Sequence, residues 1–332
     1  MNSKSLITTL TLITSAFLAW QLRWVLLIIF GAVVISVGFD VLIKKIQRFI
    51  KLSRKPALGI VLILLLIGGS VVYTFLAPEL IIQTKDLENL APNLIDKLKS
   101  ILSGELRLLN LENSFPEKIS WENIQPISNK LLGFAGGAAN SIFQLLLTVL
   151  LAILLALDPN AHRKILISAT PRSKRKTVEE LLDQCRNALG GWLSGMTISA
   201  ISVFLLTWAG LSFLKVPLAL LSALICGILT FVPIIGPTAA SLLPLGVSLL
   251  ISPSLMIQVL ILRLALQNFE AFLLTPLLLR RTVNLLPTVA LTSQLSLGAL
   301  LGLPGVLLAL PLAVVLQVGM QKILVKQVMD KL

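Results

Sequence analysis

Long apolar runs recur from one end of this chain to the other, each bounded by charge or by Gly and Pro. Residues 56–77 and 131–157 contain no Asp, Glu, Lys or Arg. A helix needs about 20 such residues to cross a hydrocarbon core about 30 Å thick. Of 332 residues, 56% are hydrophobic and 13% charged, where a soluble domain carries about 25% charge. Folded in water, the surplus apolar surface would form patches that aggregate. The fold class that follows is all-α, a polytopic integral membrane protein.

The formal charge of +13 does not mark a nucleic-acid-binding face, because the bases lie beside the apolar runs. Residues 44–55 hold six bases and no acid, and residues 158–189 hold seven bases and four acids. Such an excess of Lys and Arg marks cytoplasmic loops and attracts anionic lipid. Cys185 and Cys226 have neither disulfide nor zinc-ligand spacing. No metal or other cofactor is expected.

The runs divide the chain into five parts. Residues 1–77 hold three spans, at 6–20, 24–43 and 56–77, with "WQLRW" (20–24) as an interfacial turn anchored by two Trp. The first span reads as an uncleaved helix. Residues 78–130, with eight acids and six bases, form an extracytoplasmic helical domain in which "LENLAPNLIDKLKSIL" is amphipathic. Residues 131–189 comprise a fourth span, to residue 157, and a cytoplasmic loop whose "KTVEELLDQCRNAL" reads as a surface helix. Residues 190–321 are the transport core: a span at 190–214, a Pro-broken segment from Pro217, a span at 255–279 and a second broken segment from Pro287. Residues 322–332 are a cytoplasmic tail. With each broken segment taken as a hairpin, about eight transmembrane helices result, and both termini are cytoplasmic. Pro217, Gly227 and Pro233 match Pro287, Gly298 and Pro304 with one residue added, a weak internal repeat. Two Gly/Pro-broken segments in repeated units point to a transport site.

Once the loops are removed, the ionisable residues left deep in a span are Arg263 and Glu270. Seven positions are nearly two helical turns, so both lie on one face, about 10.5 Å apart. That is stretched for a direct pair, and each should meet another helix, water or a solute. Lipid exposure is excluded by the cost of a charge at the bilayer centre. Gln267 lies between them on the same face. A second constellation is "FVPIIGPTAASLLP" (231–244). Proline gives no amide hydrogen and frees carbonyls, which in lipid must find partners. Pro233, Gly236 and Pro237, with the hydroxyls of Thr238 and Ser241, are therefore candidate solute or ion contacts. For the glycines of "GALLGLPG" (298–305), close packing is the expected role.

These residues resemble the AI-2E family of transporters, the group of autoinducer-2 exporter-like and PerM-like permeases. The family's P-x-x-G-P run is similar to Pro233, Gly236 and Pro237, and its Q-x-x-E element followed by Pro to Gln267, Glu270 and Pro276. Its closing Gly-rich and A-x-P features match Gly298, Gly302, Gly305, Ala309 and Pro311. The resemblance covers nearly the whole chain. It departs at Ala271, where a Gly usually follows the Glu, and at the Arg280-Arg281 pair. It implies a permease of the bacterial plasma membrane that exports a small polar, autoinducer-like solute or exchanges sodium or lithium for protons. It also implies a homo-oligomer, with a pentamer among the candidates.

The leading function is therefore secondary transport centred on Glu270, with Arg263, Gln267 and the broken hairpins completing the site. The alternative is a membrane scaffold or passive channel whose buried charges serve assembly. An enzyme is not expected: no Walker run, HExxH pattern or Ser/His pair occurs, and the single histidine, His162, lies in a charged loop.

Overall fold

The computed structural model describes residues 14, 17, 18, 20–108, 138–232, 235–274, 276 and 286–322. Among them every regular element is helical: α1 (Arg23–Phe49), α2 (Arg54–Leu108), α3 (Ala138–Leu157), α4 (Pro159–Ser168), α5 (Arg175–Phe213), α6 (Ala219–Leu229), α7 (Ile235–Ile251), α8 (Pro253–Phe269) and α9 (Pro287–Met320). A five-residue π-helical turn, Glu270–Leu274, follows α8. Five helices among the described residues are long and apolar enough to cross a membrane, or six if the bent pair α3 and α4 is counted as one span. The protein is a multi-pass, all-α membrane protein. The expected crossing at 6–20 falls mostly outside the described residues. The first broken segment forms two helices too short to qualify, Ala219–Leu229 and Ile235–Ile251.

Three boundaries differ from the sequence reading. The third span does not end at residue 77: α2 runs on for 55 residues, through Pro78 and Pro92. At about 1.5 Å per residue it is roughly 80 Å long, so it continues well beyond one bilayer core as part of the 78–130 segment. Residues 109–130 lie outside the described residues. The basic run 44–55 is helical as far as Phe49. Finally, 176–189 is no separate surface helix but the start of the 39-residue α5.

The chain divides into two compact units. The first comprises residues 1–61, 142–192 and 282–332. Small residues set its packing: a methyl on Gly31 would touch Leu308 and Thr148, and one on Gly190 would touch Val41 and Val37. Helices in lipid approach closely where side chains are small. In the same unit α9 doubles back on itself. Gly302 has φ 62 and ψ −149, a combination open essentially to Gly alone. A methyl on Gly305 would lie 2.2 Å from the Leu297 carbonyl, and one on Gly298 would lie 2.8 Å from Val306. Residues eight apart in a continuous helix are separated by about 12 Å, so the "GALLGLPG" glycines are hairpin-packing residues, as expected.

The second unit comprises residues 62–141 and 193–281. Leu211, Val216, Leu218, Leu221, Val247 and Val259 form its core, with Leu80, Leu87 and Leu90 of α2 packed against them. Helix α6 begins at Leu218, in the left-handed conformation and with no side-chain acceptor of its own. Gln83 supplies the cap from α2, its Oε1 accepting from the Leu221 amide at 2.9 Å. The α6–α7 turn is tight, since a methyl on Gly236 would lie 1.9 Å from the Leu229 carbonyl. Pro244, inside α7, deprives the Ala240 carbonyl of its helical donor. The Cys226 thiol of α6 takes that place, at 3.6 Å.

Candidate functional site

Within the second unit, α5 faces α8 with two hydroxyls, Ser199 and Thr207. Ser199 Oγ donates to Glu270 Oε1 at 2.8 Å, and Arg263 Nη1 donates to Thr207 Oγ1 at 3.1 Å. The residues pair in opposite chain order, so the two helices run antiparallel there, joined by two hydroxyl-to-charge contacts. Arg263 and Glu270 thus each reach another helix.

Arg263 is buried, 3% exposed. Besides Thr207, its Nε donates to Ser241 Oγ at 3.0 Å and its Nη2 to the Pro237 carbonyl at 3.4 Å. Ser241 in turn donates to Pro237 O at 2.7 Å. The guanidinium fork therefore joins α8 to α5 and α7 through three neutral acceptors. Glu270 sits where α8 widens into the π turn, a local distortion found often at functional sites. Among the described residues, its hydrogen bond is the one from Ser199. Gln267 is half-buried on the preceding turn, and Thr238 is exposed on α7. Gly236 serves the hairpin turn. Pro233 lies outside the described residues.

Ser199 and Thr207 escaped the sequence reading, although two hydroxyls eight apart in an apolar run match two charges seven apart. Asp40 escaped it too. It lies inside the 24–43 span and is the one carboxylate before residue 79, so it corrects the reading of Arg263 and Glu270 as the only deep ionisable residues. Asp40 is 3% exposed. Its Oδ1 accepts from Arg54 Nη1 at 2.8 Å and from Arg186 Nη2, and its Oδ2 lies 3.1 Å from Lys44 Nζ. Arg54 Nε also donates to the Ala156 carbonyl at 2.8 Å, one of the last carbonyls of α3, which lack a helical donor. This cluster, wholly in the first unit, ties α1, α2, α3 and α5 together.

A further polar residue was missed in the α9 hairpin. Gln294 is 1% exposed, and neither amide atom has a partner among the described residues. The groove between the two arms, about 330 Å3, is lined on one side by Thr292, Ser293 and Ser296 and on the other by Ala309, Ala313 and Leu316. Thr292 and Ser293 donate to their own backbone, to the Thr288 and Val289 carbonyls. Replacing Gln294 by Met keeps its length and removes two unsatisfied groups. Each such group costs about 1–3 kcal/mol, so Gln294→Met should raise the thermal unfolding midpoint in detergent. A lower midpoint would mean that the amide has a bound partner, water or solute, that Met cannot replace.

Residues 6–324 match the family described as AI-2E family transporter. The chain is similar to the "Putative transport protein YrrI" of Bacillus subtilis (strain 168), 26% identical over 317 residues that cover 91% of this chain and 88% of the relative. It is also similar to a "Putative transport protein" of Haemophilus influenzae, 27% identical over 237 residues, 69% of this chain and 67% of the relative. With a family match that takes in almost every residue from the first expected span to the end of α9, the chain belongs to the AI-2E family of transporters.

Proposed function

We propose that this protein is a secondary transporter in which Glu270 is the exchanging carboxylate. The cargo is a small polar solute, or sodium or lithium moved against protons. The observation that carries this reading is the contrast between the partners of three charged side chains set among the helices, Asp40 and Arg263 buried and Glu270 half-buried. Asp40 is surrounded by three bases, and Arg263 is committed to three neutral acceptors. Among the described residues Glu270 has one neutral hydroxyl, which leaves its charge open to a cation or proton. Ionisable residues within membrane helices commonly line pathways.

In this reading Gln267 and the carbonyls around Pro233 and Pro237 complete the pocket, while Arg263, Ser241 and Gly236 keep the α6–α7 hairpin in place beside it. The hairpins gate access, as broken helices do in other secondary transporters. The reading includes about eight crossings when 6–20 is counted and each broken segment is a hairpin, with cytoplasmic termini and a homo-oligomeric assembly. The scaffold or passive-channel alternative draws on Arg263 and Asp40, both engaged in contacts that hold helices together.

The test is flux in proteoliposomes, comparing wild type with Glu270→Gln at matched insertion. Sodium, lithium and an autoinducer-like solute are offered, with a pH-sensitive dye inside. Cation-dependent proton movement should be present in the wild type and fall to background in the variant. Solute flux without a proton signal, lost in the variant, would identify an exporter. Flux unchanged by Glu270→Gln would overturn the role of Glu270. A variant that fails to assemble would favour the scaffold.

A further inference from the structure

Helix α4 is the most unusual element of the first unit. It follows α3 after a single non-helical residue, Asp158, and is bent 84° from the Ile142–Leu157 segment. The sequence dictates this break. Asp158 leaves helical geometry at φ −139 and ψ 77, and its carboxylate accepts from the Ala161 amide at 3.1 Å. Pro159 occupies the first helical position, where its missing amide hydrogen is no loss. Asp158 and Pro159 thus end one helix and begin the next in a new direction.

The bend is held at both ends and along one face. Arg163 Nη2 reaches Asp183 Oδ2 at 2.7 Å and Glu179 Oε1 at 3.2 Å on α5. At the far end, Arg175 Nε donates to the Thr170 carbonyl at 3.1 Å. The opposite face of α4 has no such cover. None of its residues is buried, and Ile165 and Leu166 are 65% and 56% exposed. At 100° per residue, Ala161, Ile165, Leu166 and Ala169 share that face with the exposed His162 among them, while Arg163 and Lys164 lie away from it.

We propose that α4 lies in the membrane plane as a docking surface for anionic lipid. If α3 crosses with an ordinary tilt of about 20°, a helix bent 84° from it runs close to parallel with the bilayer surface. Ten residues are about 15 Å long, half a crossing, and Arg163 and Lys164 would oppose deeper insertion. The uncovered apolar face then rests at the boundary of headgroups and acyl chains, as amphipathic interfacial helices do. Charge complementarity selects the lipid. Residues 158–176 carry Arg163, Lys164, Arg172, Lys174, Arg175 and Lys176 against Asp158 alone. Of these, Lys164, Arg172, Lys174 and Lys176 are exposed. Bases so close to an apolar face attract anionic headgroups.

The experiment uses the full chain with Leu166→Cys and Cys185→Ser, labelled with an environment-sensitive fluorophore. Cys226 is buried and stays unlabelled. The protein is placed in vesicles of phosphatidylcholine alone or of equal parts phosphatidylcholine and phosphatidylglycerol. Nitroxides near the headgroup should quench the label more strongly than nitroxides at the chain end, and more strongly again in the anionic vesicles. A label placed instead at Lys164→Cys should remain accessible to an aqueous quencher. Reversing Lys164, Arg172 and Lys174 to Glu should abolish the difference between the two compositions while shallow quenching persists. The proposal is overturned if the label at 166 is reached only from water, or is shielded from both lipid and water, as a protein partner or a second copy would do. Equal quenching in both vesicle types would overturn its anionic part.

Discussion

Asp40→Ala should destabilise the protein by about 3–5 kcal/mol, the usual effect of removing one partner of a buried ion pair. The carboxylate is nearly inaccessible, and two guanidiniums and an ammonium converge on it. Without it, Arg54 and Arg186 are left as uncompensated like charges with restricted access to water. Lys44, whose side chain is 57% exposed, can turn to solvent and contributes little. Arg54 has a second function at the end of α3, so its displacement would also release the Ala156 carbonyl. Thermal unfolding in detergent, followed by the reactivity of the half-buried Cys185, should show a midpoint lowered by roughly 10 °C. Asp40→Asn should fall nearly as far, because a neutral amide does not neutralise two guanidiniums. An unchanged midpoint would mean that the cluster is a surface ion pair in effect, screened despite its burial. Lys44→Met should leave the midpoint almost unmoved, which separates Asp40's inner partners from its outer one.

The sequence carried the membrane class, the broken hairpins and Arg263 as a buried charge, with Glu270 half-buried in the turn that follows the same helix. Each follows from a local rule: length of apolar run, proline's missing donor, or helical periodicity. What it hid depends on partners distant in the chain. Ser199 and Thr207 are ordinary hydroxyls of an apolar run until α8 lies against them. Gln83 is one amide in a long helix until Leu218 proves unable to cap α6. Asp40 stays hidden because a run of six bases at 44–55 reads as a cytoplasmic loop, whereas Lys44 and Arg54 return to it. A lone acid beside six bases was the available signal. The limits of α2 were hidden for another reason. The third span was bounded at residue 77, before Pro78, yet α2 continues through Pro78 and Pro92, with tertiary packing through Leu80, Leu87 and Leu90 outweighing an intrinsic cost of about 3 kcal/mol for each Pro.

Arg263→Lys should destabilise the second unit more than Arg263→Met. The three acceptors stand around a planar fork, on Thr207, Ser241 and the Pro237 carbonyl. A lysine ammonium is a compact charge without that geometry and should lose at least two of the three contacts. Hydrogen bonds to charged groups are worth about 1.5–3 kcal/mol each, so the loss is roughly 3–6 kcal/mol, with the charge still buried. Methionine loses all three bonds but also removes the charge, whose presence in a membrane helix costs about 2.5–3.5 kcal/mol on insertion scales. The orphaned hydroxyls have local alternatives, since Ser241 already donates to Pro237 O and a helical Thr can bond its own backbone. Cys226, 1% exposed and in contact with Ala240 of the same hairpin, reports the result directly. In a Cys185→Ser background its thiol should become reactive at the lowest temperature in Arg263→Lys, then in Arg263→Met, then in wild type. The reverse order, with Lys tolerated and Met disrupted, would show that the position needs a positive charge rather than a fork, and would favour contact with an anionic group in the pathway.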